Sequence, residues 1–132
     1  MVWYNKALKA MGDGLLDFSA GTFKMAYCSS GYTADTGDAG DEFYDDGPQG
    51  ASLLDAVMVL GWTARILDLA DTSIADPGSG TCTQLVLYKD TGTPATSRLI
   101  GYTNTATGLP LTFDGVNDSI AFNSSFTLKL GA

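Results

Sequence analysis

Hydrophobic positions recur with a helical period only near the start of this chain. Tyr4, Ala7, Leu8 and Met11 fall at i, i+3, i+4 and i+7, with Asn5, Lys6 and Lys9 on the other side. That arrangement lays one apolar stripe along a helix. Gly12 and Gly14 follow, and glycine just past the last turn ends a helix. The spacing predicts one short helix within residues 3–11, in an N-terminal unit spanning 1–14. A helix of that length is marginal alone in water, so its stripe must dock. It can do so on the chain's own fold or, as an arm, on a neighbour.

The period then changes to two. Phe23, Met25 and Tyr27 alternate with Thr22, Lys24 and Ala26, the pattern of a half-buried strand. Residues 29–50 are rich in Gly and Asp and poor in aliphatics, and read as a long acidic loop with Phe43 and Tyr44 inside it. Residues 53–60, LLDAVMVL, are nearly continuously apolar; periodicity leaves open whether they form a buried strand or a helical turn. From Trp62 onward the pattern is β, with candidate strands at 62–69, 72–75, 82–89, 97–103, 109–113, 118–122 and 125–130. Asp76-Pro77-Gly78, Asp90-Thr91-Gly92, Thr107-Gly108 and Asp114-Gly115 punctuate them. Short strands at this spacing predict one mainly β domain over 1–132, an antiparallel β-sandwich or jelly-roll-like barrel with a short N-terminal helix.

Composition sharpens the picture. Charged residues make up 17% of the chain and hydrophobic ones 45%, against about 25% charged in an ordinary soluble domain. The low charge fits a surface covered by neighbouring subunits, as in a homo-oligomer, and fits equally a surface of Thr, Ser and Gly. The net charge is −8 and the few cations form no run, which opposes binding to nucleic acid or to an anionic membrane. Cys28 and Cys82 are too few for a secreted disulfide scaffold; two buried thiols and a single bridge both remain open.

Candidate chemistry is sparse. Histidine is absent, and with it the commonest general base and the commonest zinc ligand. Asp35-Thr36-Gly37 and Asp90-Thr91-Gly92 repeat a triplet used by aspartic proteases, where two carboxylates share a proton. The same triplet after a strand is ordinary turn chemistry. Asp35, Asp38, Asp41, Glu42, Asp45 and Asp46 form an acidic group without the alternating ligand spacing of a calcium loop. No catalytic residue, cofactor or metal ligand set is expected. Trp3, Tyr4, Phe43 and Tyr44 are the candidate partner contacts, since aromatic residues anchor interfaces as readily as they fill cores.

Residues 85–100, LVLYKDTGTPATSRLI, followed by Thr105-Ala106-Thr107-Gly108-Leu109-Pro110, resemble a family of small virion structural proteins from tailed bacteriophages. The likeness extends to Tyr4-Asn5-Lys6-Ala7, to Asp41-Glu42-Phe43-Tyr44-Asp45 and to Phe126-Thr127-Leu128-Lys129-Leu130, whereas residues 29–40 depart from it. The resemblance implies a non-enzymatic capsid cement or decoration protein, assembled in the host cytoplasm onto the outer capsid surface, with the major capsid protein as partner. A tail, neck or fibre component is the alternative. Such proteins act by symmetry, many weak contacts adding through avidity, and an acidic chain suits an outer rather than a DNA-facing position.

Overall fold

The computed structural model describes residues 1–63, 66–116, 118–120 and 128–129. Its longest strands pair with one another in a five-stranded antiparallel sheet. β1 (Val2–Trp3) leads into helix α1 (Asn5–Gly12), and β2 (Thr22–Cys28) follows. Beyond the 29–51 segment come β3 (Ser52–Met58), β4 (Leu60–Thr63), β5 (Ile66–Leu69), β6 (Thr72–Ile74) and β7 (Thr81–Cys82). β8 (Gln84–Asp90), β9 (Arg98–Thr103), β10 (Leu111–Thr112), β11 (Asp118–Ile120) and β12 (Leu128–Lys129) complete the order. The main sheet runs β1-β9-β8-β2-β3. Three small sheets, β12-β5-β4, β11-β6 and β10-β7, add Leu67, Leu69, Ile74 and Cys82 to the core cluster of the main sheet. The fold is mainly β, as the sequence predicts, but its sheets are not closed, so no barrel forms.

Pairing resolves the ambiguous stretches. The 53–60 run is strand, and it changes sheets near Val59: β3 pairs β2, while β4 pairs β5. The single strand expected at 62–69 is two strands of a hairpin, with Trp62 opposite Leu67. Of the C-terminal strand expected at 125–130, Leu128 and Lys129 pair with Leu67 and Ile66. Residues 125–127 and 130 lie outside the described residues, as do 121 and 122 of the strand before it.

Paired residues of an antiparallel ladder share a face. The register therefore puts Lys24, Ala26, Cys28, Asp55, Val86, Tyr88 and Tyr102 on one face of the sheet. Phe23, Met25, Tyr27, Leu54, Met58 and Leu87 lie on the other. β2 is buried on both faces from Met25 to Cys28, so it is not the half-buried strand that its alternation suggests. Small Ala26 lets a cover approach one face closely. On the other face Phe23 stacks on Phe18 at 5.6 Å, Trp3 meets Phe18 edge-on at 6.2 Å, and Tyr27 meets Phe113 at 6.5 Å.

The N-terminal unit docks on the chain's own sheet. β1 is an edge strand on β9, and the Tyr4 N–H donates to the Ile100 carbonyl at 3.1 Å. The stripe that docks is Tyr4, Ala7 and Ala10, all buried, while Leu8, expected on that stripe, is exposed. Ala10 replaces Leu8 because a helix lying close to a sheet favours small side chains at the contact.

Tyr27 is fully buried and, among the described residues, its hydroxyl has no hydrogen-bond partner. A sealed, unpaired hydroxyl costs about 1–3 kcal/mol of desolvation. Replacing Tyr27 by Phe should raise stability by about 1 kcal/mol, read as a higher urea midpoint at unchanged slope.

Candidate functional site

The four aromatic candidates divide between core and surface. Tyr4 and Tyr44 are 0% and 7% exposed, core residues of this chain. The Tyr4 and Tyr32 hydroxyls hydrogen-bond at 2.8 Å, and Tyr32 donates to Asp41 at 2.7 Å. Tyr44 stacks on Tyr88 at 4.3 Å and donates to both carboxylate oxygens of Asp55 at 2.9 Å. Trp3 and Phe43 are each half-buried. Phe43 carries the Arg98 guanidinium 4.8 Å from its ring centre. An aromatic residue earns burial by area wherever the chain folds back over it, and sequence alone does not show which aromatics a loop will cover.

The acidic segment at 29–50 is such a cover. It contains a 3-10 turn at Tyr44–Asp46 and a short helix α2 at Pro48–Ala51. Gln84, 4% exposed, donates its amide hydrogens to the Ser29 and Tyr32 carbonyls at 2.6 and 2.7 Å. The Cys28 thiol points to the Pro48 carbonyl at 3.7 Å. The carboxylates serve the segment's own backbone: Asp46 accepts from the Glu42 and Phe43 amides at 2.7 and 2.8 Å, and Asp41 from the Asp35 amide at 3.0 Å. Glu42 takes Arg98 at 2.6 Å and Lys6 at 3.5 Å, and the Arg98 hydrogen bond holds its carboxyl below the usual range. Among the described residues no three acidic, Cys or His side chains converge as a metal site.

The two Asp-Thr-Gly triplets are turns. Asp35 accepts from the Gly37 amide and Asp90 from the Gly92 amide, both at 3.0 Å, the local bond that makes Asp a turn residue. Gly92 has φ +82°, which glycine adopts without strain. Asp90 also holds Lys24 at 2.7 Å, and that hydrogen bond lowers its pKa. The carboxylates have different partners and share no hydrogen bond, so the paired arrangement of an aspartic protease is not formed.

What the sequence did not mark is the free edge of the main sheet. β3 ends the strand order and, among the described residues, pairs only with β2. Val57, on that strand, is 61% exposed, and Val59, just past its end, is 70% exposed. Asp55 is the only charge between Ser52 and Thr63, and Tyr44 and Ser52 already hold it. Edge strands ordinarily carry charges that block pairing with another chain; this one presents exposed Val57 and an outer side that is unpaired among the described residues. A continuous apolar run signals burial, yet Val57 and Val59 of that run are exposed.

Cys28 and Cys82 are free, buried thiols. Burial pushes their pKa values from 9.0 up to about 12 and about 11. The folded chain therefore keeps two protons that the unfolded chain releases above about pH 9, so these thiols lower stability as pH rises past that point. A thiol reagent at pH 8 should leave both cysteines unmodified in the native protein and label both in denaturant. Rapid native labelling would contradict their burial.

No family model, no curated protein and no solved structure matches this chain.

Proposed function

We propose that this chain is a non-enzymatic structural subunit of a tailed-phage particle, a capsid cement or decoration protein on the outer shell. The observation that carries assembly is the open β3 edge with its exposed valines. The placement in a virion rests on the resemblance of residues 85–110 and on the acidic, cation-poor composition, which suits contact with protein and not with packaged DNA.

The edge favours a second copy as its partner. Antiparallel self-pairing centred on Val57 sets Val57 against Val57 and Ala56 against Met58, and leaves Asp55 clear of its copy. Centring on Asp55 would instead oppose like charges, which destabilises a ladder. A two-fold pairing of this kind closes on itself and extends the main sheet across the dimer. Trp3 and Phe43 remain for weaker contacts with the major capsid protein, multiplied by symmetry.

Light scattering at micromolar concentration should give the mass of an oligomer. Val57→Lys should weaken that association by about tenfold or more, equivalent to about 1.4 kcal/mol, with unchanged circular dichroism. A wild-type monomer would overturn the edge pairing. Gold-labelled antibody against this chain should decorate the heads of particles made from the genome that encodes it. Label on tail, neck or fibre alone would move the protein to that alternative, and unlabelled particles would sink the virion assignment.

A further inference from the structure

Apart from the β3 edge, the sheet end near Gln84 carries an open cleft of about 450 Å³, within the size range of small-molecule sites. No residue lining it is charged, although the chain holds 15 acidic residues and a net charge of −8. We infer that this cleft binds an uncharged carbohydrate, with a sugar ring lying against Tyr102 and Pro110 and its hydroxyls bonded to Gln84, Asn104, Thr33 and Thr83.

Gln84 fixes the polar floor. Its amide nitrogen faces two carbonyls, those of Ser29 and Tyr32. Carbonyls accept only, so the nitrogen cannot exchange places with the oxygen. Both amide hydrogens are thereby taken, and Oε1 is left as an acceptor. Among the described residues the Tyr27 hydroxyl is the only sealed side-chain oxygen or nitrogen without a partner. Gln84 Oε1 is therefore not sealed, and its residue lines the cleft. An acceptor already held in place by two buried bonds binds a hydroxyl donor without further ordering, which lowers the cost of binding.

The walls supply the rest. Thr33 and Asn104 are exposed and Thr83 half-buried, so hydroxyl and amide groups of both donor and acceptor character face the opening. Tyr102 is half-buried and held edge-on by Tyr32 at 6.5 Å between ring centres, a rigid ring whose negative face attracts the weakly positive C–H groups of a sugar. Leu109 and Pro110 extend the apolar wall. A phosphate or carboxylate ligand would find no cation here, and a cationic ligand no carboxylate. A proline-rich peptide would prefer more apolar surface than this lining offers.

Nitrogen-15 NMR titration tests the site with uncharged oligosaccharides of glucose, galactose and N-acetylglucosamine. A sialylated oligosaccharide and a polyproline peptide serve as comparators. At about 10 mM, enough to saturate a millimolar site, at least one neutral sugar should shift the amides of Thr83, Gln84 and Asn104. Asn104→Ala and Tyr102→Ala should each raise that sugar's dissociation constant about tenfold or more, while resonances remote from the cleft stay in place. No shift with any neutral sugar would overturn the inference. So would shifts mapping elsewhere, equal binding of the sialylated sugar, or saturation by the peptide at lower concentration. Because the readout is local to the cleft, it stands apart from the particle-labelling and scattering results.

Discussion

The fold depends on one packing event: residues 29–51 lying over the Tyr88 face of the central sheet. Gln84 anchors one end of that cover through two bonds to backbone carbonyls, and Tyr44 anchors the other by stacking on Tyr88 and donating to Asp55. Between them runs the Tyr4–Tyr32–Asp41 chain of hydroxyls and carboxylate. Lifting the segment would strand these buried polar groups, at about 1–3 kcal/mol each, and expose Ala26, Cys28 and Val86, all 0% exposed. The same chain of bonds ties α1 to the cover, since Tyr4 both precedes the helix and meets Tyr32.

This explains how a chain with so many aspartates can hold an acidic segment against an apolar sheet. The carboxylates turn toward backbone amides of their own segment and toward Lys6 and Arg98. The turn at Asp35 is tight: a Cβ at Gly40 would lie 2.2 Å from the Asp35 carbonyl oxygen, so the chain closes there only with glycine. Asp35, Asp41 and Asp46 act as turn staples for the segment's own backbone.

With one face covered by that segment and the other by Phe18, Trp3 and Phe113, the sheet's remaining route to further association is its edge. β1 is two residues long and closes the β9 side. β3 is seven residues long, nearly uncharged and unpaired on its outer side among the described residues. An assembly built through backbone pairing needs few charged contacts, in keeping with a chain of 17% charged residues. The glutamine that pins the cover also lines the uncharged cleft.

The sequence by itself determined the β class, the short N-terminal helix, most strand positions after Trp62 and the turn character of Asp90-Thr91-Gly92. These follow from local period and local backbone bonds, which neighbouring residues alone specify. It left undecided whether 53–60 was strand or helix and whether Tyr4 and Tyr44 were core, and it placed exposed Leu8 on the docked stripe. Burial of Tyr4 and Tyr44 is set by contacts with Tyr32, the sheet and Asp55, which are not local in the chain. The exposed edge at Val57 and the cleft at Gln84 were likewise invisible, because strand order and the convergence of separate loops have no local signature. Only tertiary structure decided which apolar residues found a partner within the chain and which were left exposed.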